Sequence, residues 1–306
     1  MTDEWSCPPG LKTHGCFPGG KTALDFLALD AYIYGYPLML TEATKKTMLA
    51  NGARINQFLH ERSFPDPGYT TIVRPNVDTL YSMAWLDLAP EPVVLWLPET
   101  YGRYYLMELL DPWTNVFASL GARTTGTGQG AYAITGPGWN GRLPEGMARI
   151  DSPGDTVWII GRTQTNGPAD YPPVHAIQNG YILVPISRWG EFFTARDSGQ
   201  DSKSMNENPA DWVAALDGAI FFQLMMTAMG QNPPWIKDPR MKEKLAVLGL
   251  EPGSFAFSSL SPPVKAALEL GGGGGGPGGG GGPPPPPTGA PPNGAGGFFG
   301  ANNAFL

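Results

Sequence analysis

The sequence predicts a mainly β fold with flanking helices: an antiparallel sandwich or barrel followed by a small helical region. Three observations carry this. Short apolar runs recur roughly every ten residues between Leu80 and Ile186, the spacing of an all-β domain. Turn residues stand between the runs. No helical period separates one run from the next, which disfavours alternating α/β architecture.

The elements follow in chain order. Residues 1–20 read as a flexible arm. Thr22 or a neighbour can cap a helix in which Leu24, Leu27, Ala31, Tyr34 and Leu38 form one apolar stripe. Gly35 and Pro37 fall inside it, which predicts a kink or two short helices. Asn51-Gly52 supplies a left-handed stop, and Pro65-Asp66-Pro67-Gly68 a turn. The strand candidates are Leu80 to Leu88, Val93 to Leu97, Tyr104 to Leu110, Val116 to Leu120, Tyr132 to Thr135, Thr156 to Ile160 and Tyr181 to Ile186. Asp111-Pro112, Asn140-Gly141, Pro153-Gly154 and Asn179-Gly180 are among the turn residues between them. Helical pattern returns after Arg188. Asn208 and Pro209 open a helix running from Trp212 to Met229 with Gly230 as its stop, and Asp238-Pro239 opens another that ends at Gly249. Met225, Met226 and Met229 read as packed core. From Gly271 the chain is polyglycine and polyproline, with almost nothing to bury, and is expected to be disordered. The expected organisation is an arm at 1–20, a sandwich domain with its N-terminal helix at 21–190, a helical connector at 191–265 and a tail at 271–306.

Charge and composition narrow the partners. A net charge of -7 and a pI near 5.0 across 306 residues disfavour nucleic acid, which needs concentrated Lys and Arg. No window approaches the ~18 apolar residues of a membrane span. The acidic start Met1-Thr2-Asp3-Glu4-Trp5 has no secretory signal, so the chain as written is expected to be soluble and cytoplasmic, with export still open if the N-terminus is incomplete. Cys7 and Cys16 read as free thiols or one local disulfide, not as a disulfide framework.

Several motifs resemble the domain of unknown function 1254 family. They include Ala31-Tyr32-Ile33-Tyr34-Gly35-Tyr36-Pro37-Leu38, Arg74-Pro75-Asn76-Val77-Asp78-Thr79-Leu80-Tyr81-Ser82 and Gly102-Arg103-Tyr104-Tyr105. Asp111-Pro112-Trp113-Thr114-Asn115-Val116 and Gly161-Arg162-Thr163-Gln164-Thr165-Asn166-Gly167-Pro168 continue the series. Together the matches run in family order over about residues 30 to 187. The resemblance implies an immunoglobulin-like β-sandwich, a helical region after it, and a C-terminal jelly-roll domain of unknown function 1214. After about Leu270 this sequence departs: the Gly/Pro tail stands where that partner domain would begin. The family carries no established reaction.

The chemistry-bearing residues cluster around Arg74 to Gly121 and Arg162 to Asn166. No cofactor is evident, but Asp78 and Asp111 can hold a divalent cation or serve as a general acid and base; equally, short polar residues at strand ends cap turns. His175 near Asp170 can be a base or a hydrogen-bonded structural residue. Arg74, Arg103, Arg123 and Arg162 can clamp an anion or pair with Asp side chains to hold loops. Asn76, Asn115, Gln164 and Asn166 add neutral donors and acceptors, and Trp113 with the other aromatics suits a sugar cleft, a buried interface or plain core. Alternation puts Tyr81, Met83 and Trp85 on one strand face. Gly126-Thr127-Gly128-Gln129-Gly130 lacks the Lys-Ser/Thr ending of a phosphate loop and reads as a flexible hairpin connection. No Ser/His/Asp set or metalloprotease spacing stands out.

The leading expectation is a module that binds a small polar ligand, carbohydrate-like or carboxylated, or a partner chain, through Arg74, Asn76, Asp78, Asp111, Trp113, Asn115, Arg162, Gln164 and Asn166. The alternatives are a hydrolase or lyase using Asp78 and Asp111 as acid and base, and a structural subunit that forms homo-oligomers.

Overall fold

The computed structural model describes residues 21–65, 76–194, 197–201 and 208–272. The expected arm with its two cysteines, most of the Pro65-Gly68 turn, Arg74 and nearly all of the tail lie outside the described residues. What is described falls into two units, one within 44–209 and one formed by 21–43 together with 210–272.

The first unit is the sandwich. Its strands are β1 (Leu59–His60), β2 (Thr79–Asp87), β3 (Val93–Leu97), β4 (Tyr105–Leu110), β5 (Val116–Gly121), β6 (Gly130–Thr135), β7 (Ala148–Asp151), β8 (Thr156–Gln164), β9 (Ile182–Pro185) and β10 (Gln200–Asp201). They form a six-stranded sheet ordered β10-β1-β2-β8-β4-β5 and a four-stranded sheet ordered β7-β6-β3-β9. All seven expected strands are present. Three short ones join them, because two to four residues carry no periodic signal in sequence. Both sheets are mixed: β1 and β10 run parallel, as do β6 and β7, where the sequence reading had only antiparallel pairs.

β8 runs past its expected end at Ile160 to Gln164. Gly161-Arg162-Thr163-Gln164 has no apolar run, but the segment pairs with β2 on one side and β4 on the other, so ladder bonds hold it extended. Between β8 and β9 lies α2 (Tyr171–Asn179), which corrects the expectation of no intervening helix. Pro172 and Pro173 look like breakers, yet at the first helical turn their missing N–H groups have no intrahelical partner to lose.

The six-stranded sheet is buried on both faces, so β2 reads as an almost continuous buried run. Ala84, Leu86, Met107, Leu109 and Ile159 face Val93, Leu95, Ile134 and Leu183 of the other sheet and make the sandwich core. On the opposite face Tyr81, Met83 and Trp85 pack with Trp158, Ile160 and Met48, as the alternation predicts. Trp85 and Trp158 sit opposite one another in register and stack at 4.8 Å with 9° between their planes.

In the helical unit, α1 (Ala23–Ala50, continuing past residue 43) opens with reciprocal bonds between Thr22 and Asp25. It passes through Pro37 as one helix, so the expected division does not occur. Burial of Ala28, Ala31 and Leu38 compensates for the single bond Pro37 cannot donate. Gly52 with φ 98 ends the helix as expected. At Gly35 an added Cβ would collide with the Met225 thioether, which is the structural reason for glycine there. The expected helix from Trp212 to Met229 is split into α3 (Pro209–Ala214) and α4 (Gly218–Gln231). Asp217 starts α4 by accepting from the Ile220 N–H at 2.8 Å, and the helix runs past Gly230. Met225, Met226 and Met229 are buried, as expected of core. α5 (Pro239–Val247) is capped by Asp238, and Gly249 follows with φ 66. α6 (Pro262–Gly271) has no counterpart in the sequence reading. No described helix is long and apolar enough to cross a membrane.

Candidate functional site

The structure separates the residues that the sequence groups together. Thr79 pairs with Gln164 and Leu110 with Trp158 on the shared strand β8. Asp78 and Asp111, one residue further out at each end, therefore flank opposite ends of the sheet, roughly 26 Å apart along the strands at ~3.3 Å per residue. Paired glycosidase carboxylates lie within about 10 Å of one another. An acid/base pair made of these two residues is ruled out by the register.

Asp111 is 3% exposed and saturated. One oxygen accepts from the N–H groups of Trp113 and Asn115, each at 2.9 Å, and the other from the Asn115 side chain at 2.9 Å. These bonds hold the turn between β4 and β5, with Thr114 in the left-handed region at φ 67. Asn76 does the same before β2: its oxygen accepts from Asp78 and Thr79 N–H at 2.9 and 3.2 Å, and its nitrogen donates to the Thr79 carbonyl at 3.0 Å. Asp78 is exposed. His175, on α2, bonds the Arg62 carbonyl at 2.7 Å and stacks on Tyr171, so its position is structural. Arg162 lies on the outer face of the large sheet, 5.4 Å from the Tyr81 ring centre and 3.7 Å from the Glu108 carboxylate.

Among the described residues of the expected binding set, Gln164 and Asn166 open into a cavity whose volume is about 780 Å³, which Arg103 also lines. Its walls are Trp96 at the end of β3, the Pro98–Arg103 loop, Gln129 before β6, the end of β8, and Pro173, Ala176 and Ile177 of α2. The loop is shaped by two successive left-handed residues, Tyr101 at φ 54 and Gly102 at φ 82. The Thr100 N–H donates to the Thr127 carbonyl at 2.8 Å, tying this loop to the one that carries Gln129.

One ion pair fixes the rest. Arg103 donates to both oxygens of Asp170, at 2.6 and 2.8 Å, and to the Gln164 carbonyl at 2.9 Å. Asp170 also accepts from the Asn166 N–H at 2.9 Å. The Arg103 bonds first, then that N–H, hold the Asp170 carboxyl down at about 2. The pair thus joins the start of β4, the end of β8 and the turn into α2, and the arginine charge is neutralised internally. The side chains of Gln129, Gln164, Asn166 and Glu99 make no hydrogen bond to a described residue. Three amides and one carboxylate are therefore presented beside the Trp96 and Tyr101 rings.

Sequence reasoning missed Tyr101 and Gln129 as site residues, and held Trp96 only as one of several aromatics suited to a sugar cleft, an interface or core. The available signals were weak: the Tyr101-Gly102 turn, and the glycine-rich run around Gln129 that reads only as a connection. Among the described residues no three His, Cys, Asp or Glu side chains gather as a metal set.

A second polar cluster is closed to solvent. His60, Ser82 and Gln178 are each 0% exposed. The Ser198 carbonyl can only accept, so His60 Nε2–H donates to it at 2.6 Å, and Nδ1 then accepts from the Ser82 hydroxyl at 2.9 Å. Gln178 donates to Ser82 Oγ at 3.2 Å and to the Glu61 carbonyl at 3.0 Å. Burial is the main cause that lowers the His60 pKa to about 4, and this geometry keeps the ring neutral. A histidine beside a serine suggests nucleophilic catalysis, but both side chains are fully buried and their bonds are those of a satisfied core.

Residues 55–185 match the model of the family described as Protein of unknown function (DUF1254). The resemblance read from the sequence holds over that stretch. No curated protein matches the chain. Among solved structures, that of the VPA0106 protein from Vibrio parahaemolyticus is similar, with a TM-score of 0.57 and 24% identity over 81% of this chain. The match covers 56% of that protein, so the present chain spans little more than half its length. This likeness establishes the shared fold.

Proposed function

We propose that this chain, with its DUF1254 region at residues 55–185, binds a small carbohydrate-like ligand in the cleft at Gln164 and Asn166. The observation that carries the reading is the contrast within one cavity: amide side chains without partners beside aromatic rings, and an arginine already held by Asp170. Amides pair with ligand hydroxyls as both donors and acceptors, and an aromatic face accommodates the C–H side of a sugar ring. A volume of about 780 Å³ lies within the range of small-molecule sites. Of the two ligand classes the sequence suggests, the carboxylated one loses support. A carboxylate needs a cation, and Arg103 is neutralised while Glu99 adds negative charge.

Binding is favoured over cleavage. Glycoside hydrolysis commonly uses two flanking carboxylates, and the described lining supplies only Glu99. The test is thermal unfolding of the full chain against glucose, galactose, mannose and N-acetylglucosamine, with citrate and phosphate as anion controls. A sugar at ~100 times its dissociation constant adds about 2.7 kcal/mol of stability. The expected result is a shift with at least one sugar that the double variant Gln164→Ala/Asn166→Ala abolishes. Shifts with the anions alone, or a sugar shift that the double variant retains, would overturn the reading.

A further inference from the structure

An aromatic row leads out of the cleft. Trp96 lines the cavity, and its ring centre lies 6.1 Å from that of Trp189, with 43° between the planes. Trp189 in turn lies 5.6 Å from Phe193 at 45°. Neither Trp189 nor Phe193 lines the cavity, so the row extends two ring spacings beyond it. Its far end is open to solvent: Phe193 is 37% exposed and its neighbour Phe192 is 97% exposed.

The loop bearing these rings is held by a dense set of bonds. Arg188 donates to Asp197 at 2.8 Å and to Glu191 at 3.0 Å. Thr194 donates to the same Asp197 carboxylate through its N–H at 2.8 Å and its hydroxyl at 2.7 Å. Ser187 is tied to Glu91 by two bonds of 2.8 Å. Ordering exposed aromatic side chains on a loop costs conformational entropy and leaves apolar surface in water. A loop braced in this way presents its rings already positioned, which reduces the ordering cost at binding.

From this row, and resting on the cleft reading above, we infer that the ligand is a chain of sugar units. One unit occupies the amide-lined cavity and the following units stack along Trp96, Trp189 and Phe193. The tilts of 43° and 45° make a faceted stripe, suited to successive rings that turn relative to one another. A nucleic acid strand would also stack on aromatic faces, but it needs a basic track, and this chain carries a net charge of -7.

The test compares saccharide lengths on the whole 306-residue chain by calorimetry and tryptophan fluorescence. The probes are glucose with cellohexaose and maltohexaose, and N-acetylglucosamine with chitohexaose. For one series the hexasaccharide is expected to bind at least tenfold tighter than its monosaccharide. In Trp189→Ala/Phe193→Ala that ratio falls to about one, and in Phe193→Ala alone it falls partway, which keeps the test valid if the double variant folds poorly. Gln164→Ala weakens both members of the pair. Sugar binding with no length dependence overturns the extended row and leaves the cleft reading standing. Absence of binding to every sugar overturns both. Concentration-dependent self-association in ultracentrifugation that Phe193→Ala removes would assign the row to a second copy of the chain and overturn the inference.

Discussion

The two ends of the large sheet are built from the same kinds of residue and do opposite things. At one end, Asp111, Trp113 and Asn115 join β4 to β5; at the other, Gln164 ends β8 and Asn166 follows it. Both read as Asp, Asn or Gln beside aromatics and turn residues. At the first end both oxygens of Asp111 are taken by local N–H groups and the side chain is buried. At the second, the structural work is done by backbone groups and by the Arg103–Asp170 pair, and the amide side chains are left facing a cavity. A polar residue marks a site through its unsatisfied bonding capacity; its type alone says little.

The most severe way to break this comparison is Asp111→Ala. It removes three bonds from a buried turn, and two backbone N–H groups lose their acceptor. The expected cost is roughly 3 kcal/mol in urea unfolding, with sugar binding by the folded fraction intact. A cost below about 1 kcal/mol would show that the turn holds itself without the carboxylate.

The buried His60 cluster sharpens the same lesson through pH. The unfolded chain takes up the His60 proton near 6.5 and the folded chain only near 4, so between these values the unfolded state binds more protons. Stability is full above pH 6.5, falls as pH drops toward 4, and is flat with respect to this group below that. The loss is on the order of 3 kcal/mol. His60→Gln should flatten the slope in that window, and an unchanged slope would move the titration to another group.

Arg103→Ala comes next. The pair is partly exposed, at 20% and 18% for the two side chains, so solvent screening keeps its stability contribution small. Its effect on the cleft is expected to be larger than its effect on folding, because one guanidinium positions the ends of β4 and β8: sugar affinity should fall about tenfold, ~1.4 kcal/mol. Equal losses in stability and affinity would reduce Arg103 to a general scaffold residue. The smallest effect is expected at Gln164→Ala, within about 0.5 kcal/mol in stability, since its exposed side chain bonds to no described residue. A larger destabilisation would erase the contrast between the two ends.

Much of this molecule is legible in sequence because local rules govern it. Val93 to Leu97 is a strand to the residue because five apolar residues lie between prolines. Tyr81, Met83 and Trp85 share a face because side chains alternate along any strand. Thr22, Gly52, Asp238 and Gly249 bound helices because caps and left-handed stops act within one turn. The failures are equally physical. The extension of β8 through Gly161-Arg162-Thr163-Gln164 depends on ladder bonds from β2 and β4, which a local apolar count does not see. The continuity of α1 through Pro37 depends on packing at Ala31 and Leu38, which outweighs one missing bond.

The candidate site divides along the same line. Sequence alone determined the β-rich class, the family resemblance, and the choice of the two amides Gln164 and Asn166, which the structure places at a cavity. Tertiary structure decided that Asp78 and Asp111 stand at opposite ends, and that Arg103 is closed off by Asp170, 67 positions along the chain. It also decided that Trp96, Tyr101 and Gln129 meet at one cavity. Caps and alternation involve neighbours within a few residues, so spacing reveals them. Whether a carboxylate or guanidinium is satisfied depends on which strands become neighbours, and that is set only when the sheet assembles.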